Sequence, residues 1–180
     1  VVRVETEGPP PIEEGAVFRR MITTGCGRGA AFYSPADATQ RRLNSGRTIG
    51  AGGIFALMEG FQRESTLFRE TGGVHSAALS DGERLVVFTE DIGRHNAVDK
   101  VFGRCLWEGH PTEDHILLTS GRISSEILFK VARRGVPILV SRSAPTDLAV
   151  RTAEDLGITV VGFARGRRMN VYSHPWRIVD

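Results

Sequence analysis

The second half of the chain alternates short apolar segments with segments of helical periodicity, and this alternation limits the folds that it can adopt. The apolar segments at residues 115–119, 137–141 and 158–163 are rich in Val, Ile and Leu, which is typical of strands buried on both faces of a sheet. Helices are predicted between them at residues 124–134 and 145–156, the second with its proline in the first turn. Because strand–helix–strand units bring their strands side by side in one direction, this half predicts a parallel sheet.

The segment before this alternation predicts an antiparallel hairpin. Residues 74–79 and 84–89 are β-like and are joined by a turn that contains Asp81 and Gly82, a pair that accepts the positive φ angles of tight turns. A last strand is predicted at residues 169–172. We therefore expect an α/β fold in which a mixed β-sheet is flanked by helices on both faces.

Two further helices are predicted from apolar residues at helical spacing. They are residues 49–63, with Ile54, Leu57, Met58 and Phe61 on the apolar side, and residues 96–107, with Val98, Val101, Phe102 and Cys105. Since Cys105 shares the apolar stripe of its helix, we expect its thiol to be buried and inert.

The first 24 residues differ from the rest of the chain. They comprise a short strand, a Pro-rich stretch at residues 8–11 and a second strand at residues 16–22, and they begin at Val1 rather than at a methionine. We therefore expect a short N-terminal β appendage, residues 1–24, that is the remnant of a longer segment. Residues 25–180 are expected to form the catalytic domain.

Composition and charge narrow the functional class. Hydrophobic residues make up 41% of the 180 residues, so a normal core can form. The formal net charge is only +2, well below the concentrated basic charge of a nucleic-acid-binding protein. No apolar run reaches the length of a membrane span, about 18 residues, and no signal peptide opens the chain. With two cysteines far apart in sequence, a reducing compartment, the cytoplasm, is expected.

A Gly-rich loop surrounds Cys26. Residues 23–29 contain three glycines and Arg28, a composition that favours a loop whose backbone can approach a ligand closely. A neighbouring arginine lowers the pKa of a thiol and increases the population of the thiolate that attacks sulfur. These residues alone leave two interpretations open: a reactive thiol, or a small side chain that fills a turn.

Arginines and hydroxyl residues follow each strand of the predicted parallel sheet, at residues 119–122, 141–146 and 163–168. The carboxyl ends of parallel strands meet at one edge of the sheet, where α/β proteins bind their ligands. Guanidinium groups and exposed amides at that edge suit phosphates.

Two histidines flank the predicted hairpin, His75 at its start and His95 after its end. They are candidates for ligands, for proton carriers or for hydrogen-bonded scaffold. Metal binding has little support, because the sequence contains no Cys-x-x-Cys and no His-x-x-x-His. We therefore expect no tightly held metal.

Five segments together resemble the FdhD/NarQ family, the formate dehydrogenase accessory sulfurtransferases. They are Thr71-Gly72-Gly73-Val74-His75, Glu90-Asp91-Ile92-Gly93-Arg94-His95-Asn96-Ala97-Val98-Asp99-Lys100, Thr119-Ser120-Gly121-Arg122, Ser143-Ala144-Pro145-Thr146 and Asn170-Val171-Tyr172. They follow the order found in the family. The run that starts at Glu90 is long and unusual, which makes the resemblance specific.

The resemblance implies both a fold and a function. The fold is a cytidine deaminase-like three-layer sandwich. The function is that of a sulfur carrier: Cys26 accepts sulfur from a cysteine desulfurase as a persulfide and passes it to the molybdenum bis(molybdopterin guanine dinucleotide) cofactor before that cofactor enters formate dehydrogenase. The cofactor is thus a bound client, and the residues implied to bind it are Phe163, Ala164, Arg165, Gly166, Arg167 and Arg168. A homodimer would fit an α/β domain of this size.

The chain departs from the family at Gly29, where members often carry a second cysteine three residues after the first. Any sulfur transfer must therefore use a single thiol. This departure keeps an alternative open, a non-catalytic chaperone that binds the cofactor or a guanine nucleotide. A zinc deaminase, which the fold class suggests, would need His-x-Glu and Pro-Cys-x-x-Cys, whereas His75 is followed by Ser76 and Ala77.

Overall fold

The computed structural model of the chain describes residues 42–180 and two short strands before them. These strands are β1 (Arg20–Met21) and β2 (Ala31–Phe32), which pair antiparallel. Apart from β1, the predicted N-terminal appendage and its boundary after residue 24 lie outside the described residues, and so does Cys26.

The chain divides into two units, residues 1–39 and residues 40–180. In chain order, the elements of the second unit are β3 (Ile49–Gly50), α1 (Ala51–Glu64), α2 (Thr66–Thr71), β4 (His75–Ser80), β5 (Leu85–Asp91), α3 (Arg94–Glu108), β6 (Ile116–Thr119), α4 (Ser125–Arg133), β7 (Ile138–Ser141), α5 (Asp147–Leu156), β8 (Thr159–Arg165), β9 (Arg168–Val171), a 3-10 turn (Pro175–Arg177) and β10 (Ile178–Val179). None of the helices among the described residues is long and apolar enough to cross a bilayer.

Six strands of this unit form one mixed sheet in the order β5-β4-β6-β7-β8-β9. β6, β7 and β8 run parallel to one another, whereas β5, β4 and β9 pair antiparallel with their neighbours. Within the parallel part, Thr119 lies opposite Ser141 and Leu139 lies opposite Val160. The predicted mixed α/β sheet, with a parallel centre and an antiparallel hairpin, is confirmed.

The sheet is buried on both faces because successive side chains of a strand point to opposite sides. Leu117, Leu139 and Val160 belong to a core with α3, α4 and α5 on one face. Leu118 and Val140 belong to a second core with α1 on the other face. Helices therefore cover both faces, as predicted, and the unit has three layers.

The apolar stripes predicted for two helices are buried in full. The buried residues of α1 are Ile54, Leu57, Met58 and Phe61, and those of α3 are Ala97, Val98, Val101, Phe102 and Cys105. Each large apolar side chain buried in this way contributes about 1.5–3 kcal/mol to stability. Cys105 is only 1% exposed, and burial raises the pKa of its thiol, so the expectation of a buried thiol is confirmed.

The start of α5 differs from its prediction. The helix begins at Asp147, and the Oγ1 of Thr146 accepts a hydrogen bond from the amide of Ala149 at 3.2 Å, as an N-cap residue does. Pro145 therefore precedes the helix instead of lying in its first turn. It forms a parallel bridge with Ile123 in the loop after β6.

The sequence pattern does not indicate α2, because this helix buries none of its own residues and has no apolar stripe. Its first amides donate to the carboxylate of Glu90 on β5, from Leu67 and from Phe68, both at 3.0 Å. An anionic group stabilises the N-terminus of a helix. Here that group comes from a strand more than twenty residues further along the chain, so local sequence carries no sign of it.

A buried arginine ties the C-terminal segment to the sheet. Arg177 is only 2% exposed. Its Nη2 donates to the carbonyl of Ser45 at 3.0 Å and its Nη1 donates to Thr159 Oγ1 at 3.1 Å. The guanidinium also lies 4.2 Å from the ring of Trp176, within the range of a cation–π contact. One side chain thus joins the segment before β3, the start of β8 and the C-terminus.

We expect Arg177→Met to lower the free energy of unfolding by about 1–3 kcal/mol, because the carbonyl of Ser45 and the hydroxyl of Thr159 would lose their donors. Urea denaturation followed by circular dichroism measures the change. Arg151→Met is the matched control, since the Arg151 side chain is 75% exposed, and its effect should stay within about 0.5 kcal/mol. Equal unfolding free energies for the two variants would contradict the role given to Arg177.

Candidate functional site

Three parallel strands end at one edge of the sheet, and the loops that follow them meet there. Thr119 at the end of β6 lies opposite Ser141 at the end of β7. The amide of Ser120 donates to the carbonyl of Ser76 at 3.0 Å, so the start of the antiparallel strand β4 lies at the same edge. We call this edge the rim and define it as residues 120–124, 142–146 and 163–168 together with His75, Arg94 and His95.

Serine side chains hold the backbone of the rim loops. Ser141 Oγ donates to the carbonyl of Gly121 at 2.6 Å and accepts from the amide of Ser143 at 2.9 Å. The amide of Arg142 donates to the carbonyl of Thr119 at 3.1 Å. Short hydroxyl side chains suit this task because they reach only the neighbouring backbone. These bonds hold the two loops through short side chains and backbone groups.

The residues that the family resemblance assigns to cofactor binding lie on the hairpin of β8 and β9. Arg165 pairs with Arg168, and Gly166 and Arg167 form the turn between them. Gly166 has a φ of +56°, a left-handed conformation that glycine adopts without strain. All three arginines are exposed, so three guanidinium groups stand on one short hairpin.

Phe163 and Ala164 lie in the irregular part of β8. Phe163 has a φ of +53° and a side chain that is 42% exposed, and its amide donates to the carbonyl of Ser143 at 3.1 Å. A left-handed residue other than glycine is strained, and such residues are enriched at binding sites. Ala164 is fully buried in the core beside α1. Phe163 therefore offers an exposed ring to a ligand, whereas Ala164 offers only its backbone.

Arg142 meets this hairpin from the loop after β7. Arg165 Nε donates to the carbonyl of Arg142 at 2.8 Å. Burial, and then the charge of Arg165, lower the pKa of Arg142. The Nε of Arg142 is buried and has no hydrogen-bond partner among the described residues. Leaving such a donor unpaired costs about 1–3 kcal/mol.

A second group of basic residues lies at the other end of the rim. Arg94, at the start of α3, packs against Gly121, and its Nε is also buried without a hydrogen-bond partner among the described residues. His75 Nδ1 lies 3.3 Å from Ser120 Oγ. Burial lowers the pKa of His75, and the charges of Arg94 and Arg122 lower it further. A lowered pKa means that the His75 ring is neutral at pH 7.

His95 is held by an acidic residue at the start of α4. Its Nε2 lies 3.4 Å from Glu126 Oε2. Burial has the largest effect on the pKa of His95 and lowers it; Arg94 and Lys130 lower it further, and Glu126 and Asp99 oppose them. Since the net shift is downward, this ring is also neutral at pH 7. His75 is therefore hydrogen-bonded to the rim, and His95 lies against Glu126.

Most carboxylates near these basic residues have partners. Glu90 accepts from the first amides of α2, Asp91 accepts from the amide of Gly93 and from Asn96 Nδ2, and Asp99 lies 2.5 Å from Lys130 Nζ. Glu126 places Oε2 near His95, whereas its Oε1 is buried without a hydrogen-bond partner among the described residues. Among the described residues, no carboxylate forms an ion pair with a rim arginine. The rim therefore has an excess of positive charge.

No metal centre is apparent in the part of the chain that the structure describes, where no three His, Cys, Asp or Glu side chains come together. The guanidinium groups and the exposed aromatic ring of the rim favour an organic anion as the ligand. Guanidinium groups bind phosphates through parallel hydrogen bonds, and an exposed aromatic ring can stack on a base. The rim is suited to an anionic ligand that carries phosphate groups and a planar ring.

The three arginine-bearing segments predicted to follow the parallel strands do meet at one edge. Sequence reasoning did not place Arg94 among them, because its segment precedes the alternating half of the chain. The sequence did contain a signal for the position of Arg94. Because both ends of a hairpin lie at the same end of its strands, the segment that follows β5 must lie near His75, and His75 does pair with Asp91. The predicted thiol site, Cys26, is outside the described residues.

Comparisons with known proteins give the same family over the whole chain. The sequence profile of the FdhD/NarQ family matches residues 1–179. The chain is 45% identical over 178 residues to the sulfur carrier protein FdhD of Bacillus subtilis, covering 98% of this chain and 68% of the relative. It is 49% identical over 163 residues to the protein of the same name from Listeria monocytogenes, covering 89% of this chain and 62% of the relative.

A solved structure agrees. The fold is similar to that of a formate dehydrogenase accessory protein from Desulfotalea psychrophila, with a TM-score of 0.75 and 34% identity, over 81% of this chain and 63% of that chain. The chain thus spans roughly two thirds of the length of the relatives that it matches. With a profile match from end to end and relatives at this level of identity, the chain belongs to the FdhD/NarQ family.

Proposed function

We propose that this protein is a sulfur carrier that serves the maturation of formate dehydrogenase. Its relatives are named sulfur carrier protein FdhD, and the protein of similar fold is a formate dehydrogenase accessory protein. In our proposal, Cys26 receives sulfur as a persulfide from a cysteine desulfurase. It then delivers that sulfur to the molybdenum bis(molybdopterin guanine dinucleotide) cofactor, which the protein binds as a client. We place this transfer in the cytoplasm.

One observation in this chain carries the cofactor part of the proposal. The rim collects arginines from three loops and from the start of α3, and among the described residues none of them forms an ion pair with a carboxylate. Those on the hairpin of β8 and β9 are exposed. A ligand with several phosphates would provide acceptors for their guanidinium groups. The Phe163 ring, exposed beside the hairpin arginines, is suited to stacking on the guanine.

The first sulfur transfer is an exchange between thiolates. The thiolate of Cys26 attacks the outer sulfur of the desulfurase persulfide, a new S–S bond forms at Cys26, the S–S bond of the donor breaks, and the donor cysteine leaves as a thiolate. The exchange needs no oxidant or reductant. Arg28, two residues after Cys26 in the sequence, is expected to favour the Cys26 thiolate. With Gly29 three residues later, no neighbouring thiol in the loop can displace the persulfide as a disulfide.

Incubation with a cysteine desulfurase and cysteine should add the mass of one sulfur atom to the wild-type chain, as measured by intact-protein mass spectrometry. Cys26→Ala should lose this adduct and should fail to restore formate dehydrogenase activity to cells that lack the gene. Cys105→Ala is the matched single-cysteine control, and its adduct should persist because the buried Cys105 thiol is inert.

The outcomes separate the two candidate functions. An adduct that survives in Cys26→Ala, or cells that recover activity with that variant, would contradict the carrier mechanism. A wild-type chain that binds guanine nucleotide and never gains sulfur would instead favour the non-catalytic chaperone.

The hairpin arginines should set affinity for the guanine nucleotide part of the client. We expect the double variant Arg165→Gln, Arg167→Gln to bind GDP about tenfold or more weakly, because a hydrogen bond to a charged group contributes more than a neutral one. Isothermal titration calorimetry at fixed ionic strength measures this. Arg151→Gln on α5, whose side chain is 75% exposed, is the control, and equal losses in both proteins would point to a general charge effect instead of a site.

A further inference from the structure

We propose that α2 is a strap that opens and closes beside the His75 end of the rim, and that the carboxylate of Glu90 latches it shut. The strap opens while the sheet stays folded, and Ser76 transmits its position to the rim. In the proposed sulfur carrier, such a strap would admit a ligand to that end of the rim and retain it there. Only this last consequence rests on the proposed function.

The side chains of α2 do little to anchor it. The helix buries none of its six residues, and Leu67 is 42% exposed. An isolated helix shorter than about 12 residues is at best marginally stable in water, so α2 needs an external support. The hydrogen bonds that the structure gives α2 to another element all end on Glu90 of β5.

Glu90 takes the place of a local cap. Ser65 precedes the helix, but its Oγ donates to the carbonyl of Phe61 at 2.8 Å and makes no capping bond to α2. The amides of Leu67 and Phe68 donate instead to the two carboxylate oxygens of Glu90, both at 3.0 Å. Because an anionic group stabilises a helix N-terminus, loss of this one carboxylate should release the helix.

Both ends of α2 are suited to bending. Ser65 separates it from α1 with a φ of −71° and a ψ of 62°, which interrupts the helical backbone. At the other end, Gly72 has a φ of +62°, and a Cβ added there would meet no atom within 4 Å. A Cβ at Gly73 would meet only atoms of the nearby Thr71. Hinges are a few residues at element ends that absorb changes in φ and ψ, and these positions meet that description.

The same carboxylate connects α2 to the rim. Glu90 Oε1, which accepts from the amide of Phe68, also accepts from Ser76 Oγ at 3.2 Å. The amide of Ser76 donates to Ser120 Oγ at 2.9 Å, and its carbonyl accepts from the amide of Ser120 at 3.0 Å. Ser120 Oγ lies 3.3 Å from His75 Nδ1. Release of Glu90 from α2 should therefore change the surroundings of His75.

Hydrogen–deuterium exchange on the full 180-residue chain tests the latch without a ligand. In the wild type, the amides of α2 should exchange about a hundredfold or more faster than those of α1, because a segment with few buried contacts opens locally. Glu90→Ala should accelerate exchange in α2 by about tenfold or more and leave α1 and β6 unchanged. Glu90→Gln should lie between them, since its amide keeps one oxygen that accepts.

Glu59→Ala is the matched control. It also removes one carboxylate, but Glu59 lies on α1 with its side chain 71% exposed and pairs with Arg63. Exchange in α2 should stay at the wild-type rate in this variant. Equal acceleration in Glu59→Ala and Glu90→Ala would point to a general effect of charge and would overturn the latch.

A second measurement tests the connection to the rim. Proton NMR of the histidine rings, with a His75→Gln variant to assign the signal, should show a shifted His75 resonance in Glu90→Ala. The amide of Ser120 should exchange faster in the same variant. Both effects of Glu90→Ala should shrink when Ser76→Ala is already present, because the hydroxyl that joins Glu90 to Ser76 is then absent.

The outcomes keep folding, strap and function apart. A variant that has lost its fold would exchange rapidly in α1 and β6 as well, and Glu90→Gln then carries the test. Wild-type α2 amides as protected as those of α1, or an unchanged α2 in Glu90→Ala, would overturn the strap. An unmoved His75 signal in a chain whose α2 is released would overturn its link to the rim. Failure of sulfur transfer is seen separately, in the mass adduct on Cys26.

Discussion

The burial of three parallel strands on both faces is the constraint on which the rest of the structure depends. β6, β7 and β8 are covered by α3, α4 and α5 on one face and by α1 on the other. Every central side chain is used for packing, so polar and charged groups can stand only where the strands end. Because the strands run in one direction, their carboxyl ends share one edge, and the loops that leave them gather their arginines there.

Bringing several arginines together at this edge costs electrostatic free energy. Hydrogen bonds within and between the loops hold the edge together despite that cost. The loop backbones are held by hydrogen bonds of Ser141, Ser143 and Thr119, and the carbonyl of Arg142 also accepts from Arg165 Nε. The sheet holds Arg165 close enough to Arg142 for its charge to lower the pKa of Arg142. Phe163 is kept in a left-handed conformation by its bond to the neighbouring loop. Strain and unpaired donors at one place are typical of a site prepared for a ligand.

Much of this architecture could be read from periodicity. Ile54, Leu57, Met58 and Phe61 recur at helical spacing, and all four are buried on α1. The alternation of strands and helices predicted the parallel centre of the sheet, because a helix between two strands returns the chain so that both strands run in the same direction. Periodicity gave no sign of α2, since a helix that packs no apolar stripe and depends on Glu90 has no local pattern. It also misplaced Pro145, whose position is set by its bridge to Ile123.

What the sequence determined by itself was the class of the fold, the family and the presence of arginines after each parallel strand, because these follow from apolar spacing and from motifs that are local in the chain. Only the tertiary structure decided that Arg94 packs against Gly121, that Arg165 donates to the carbonyl of Arg142, and that no carboxylate among the described residues forms an ion pair with these arginines. Those facts depend on which segments become neighbours in the sheet, and the distances between side chains from separate loops are set by packing that no local pattern encodes.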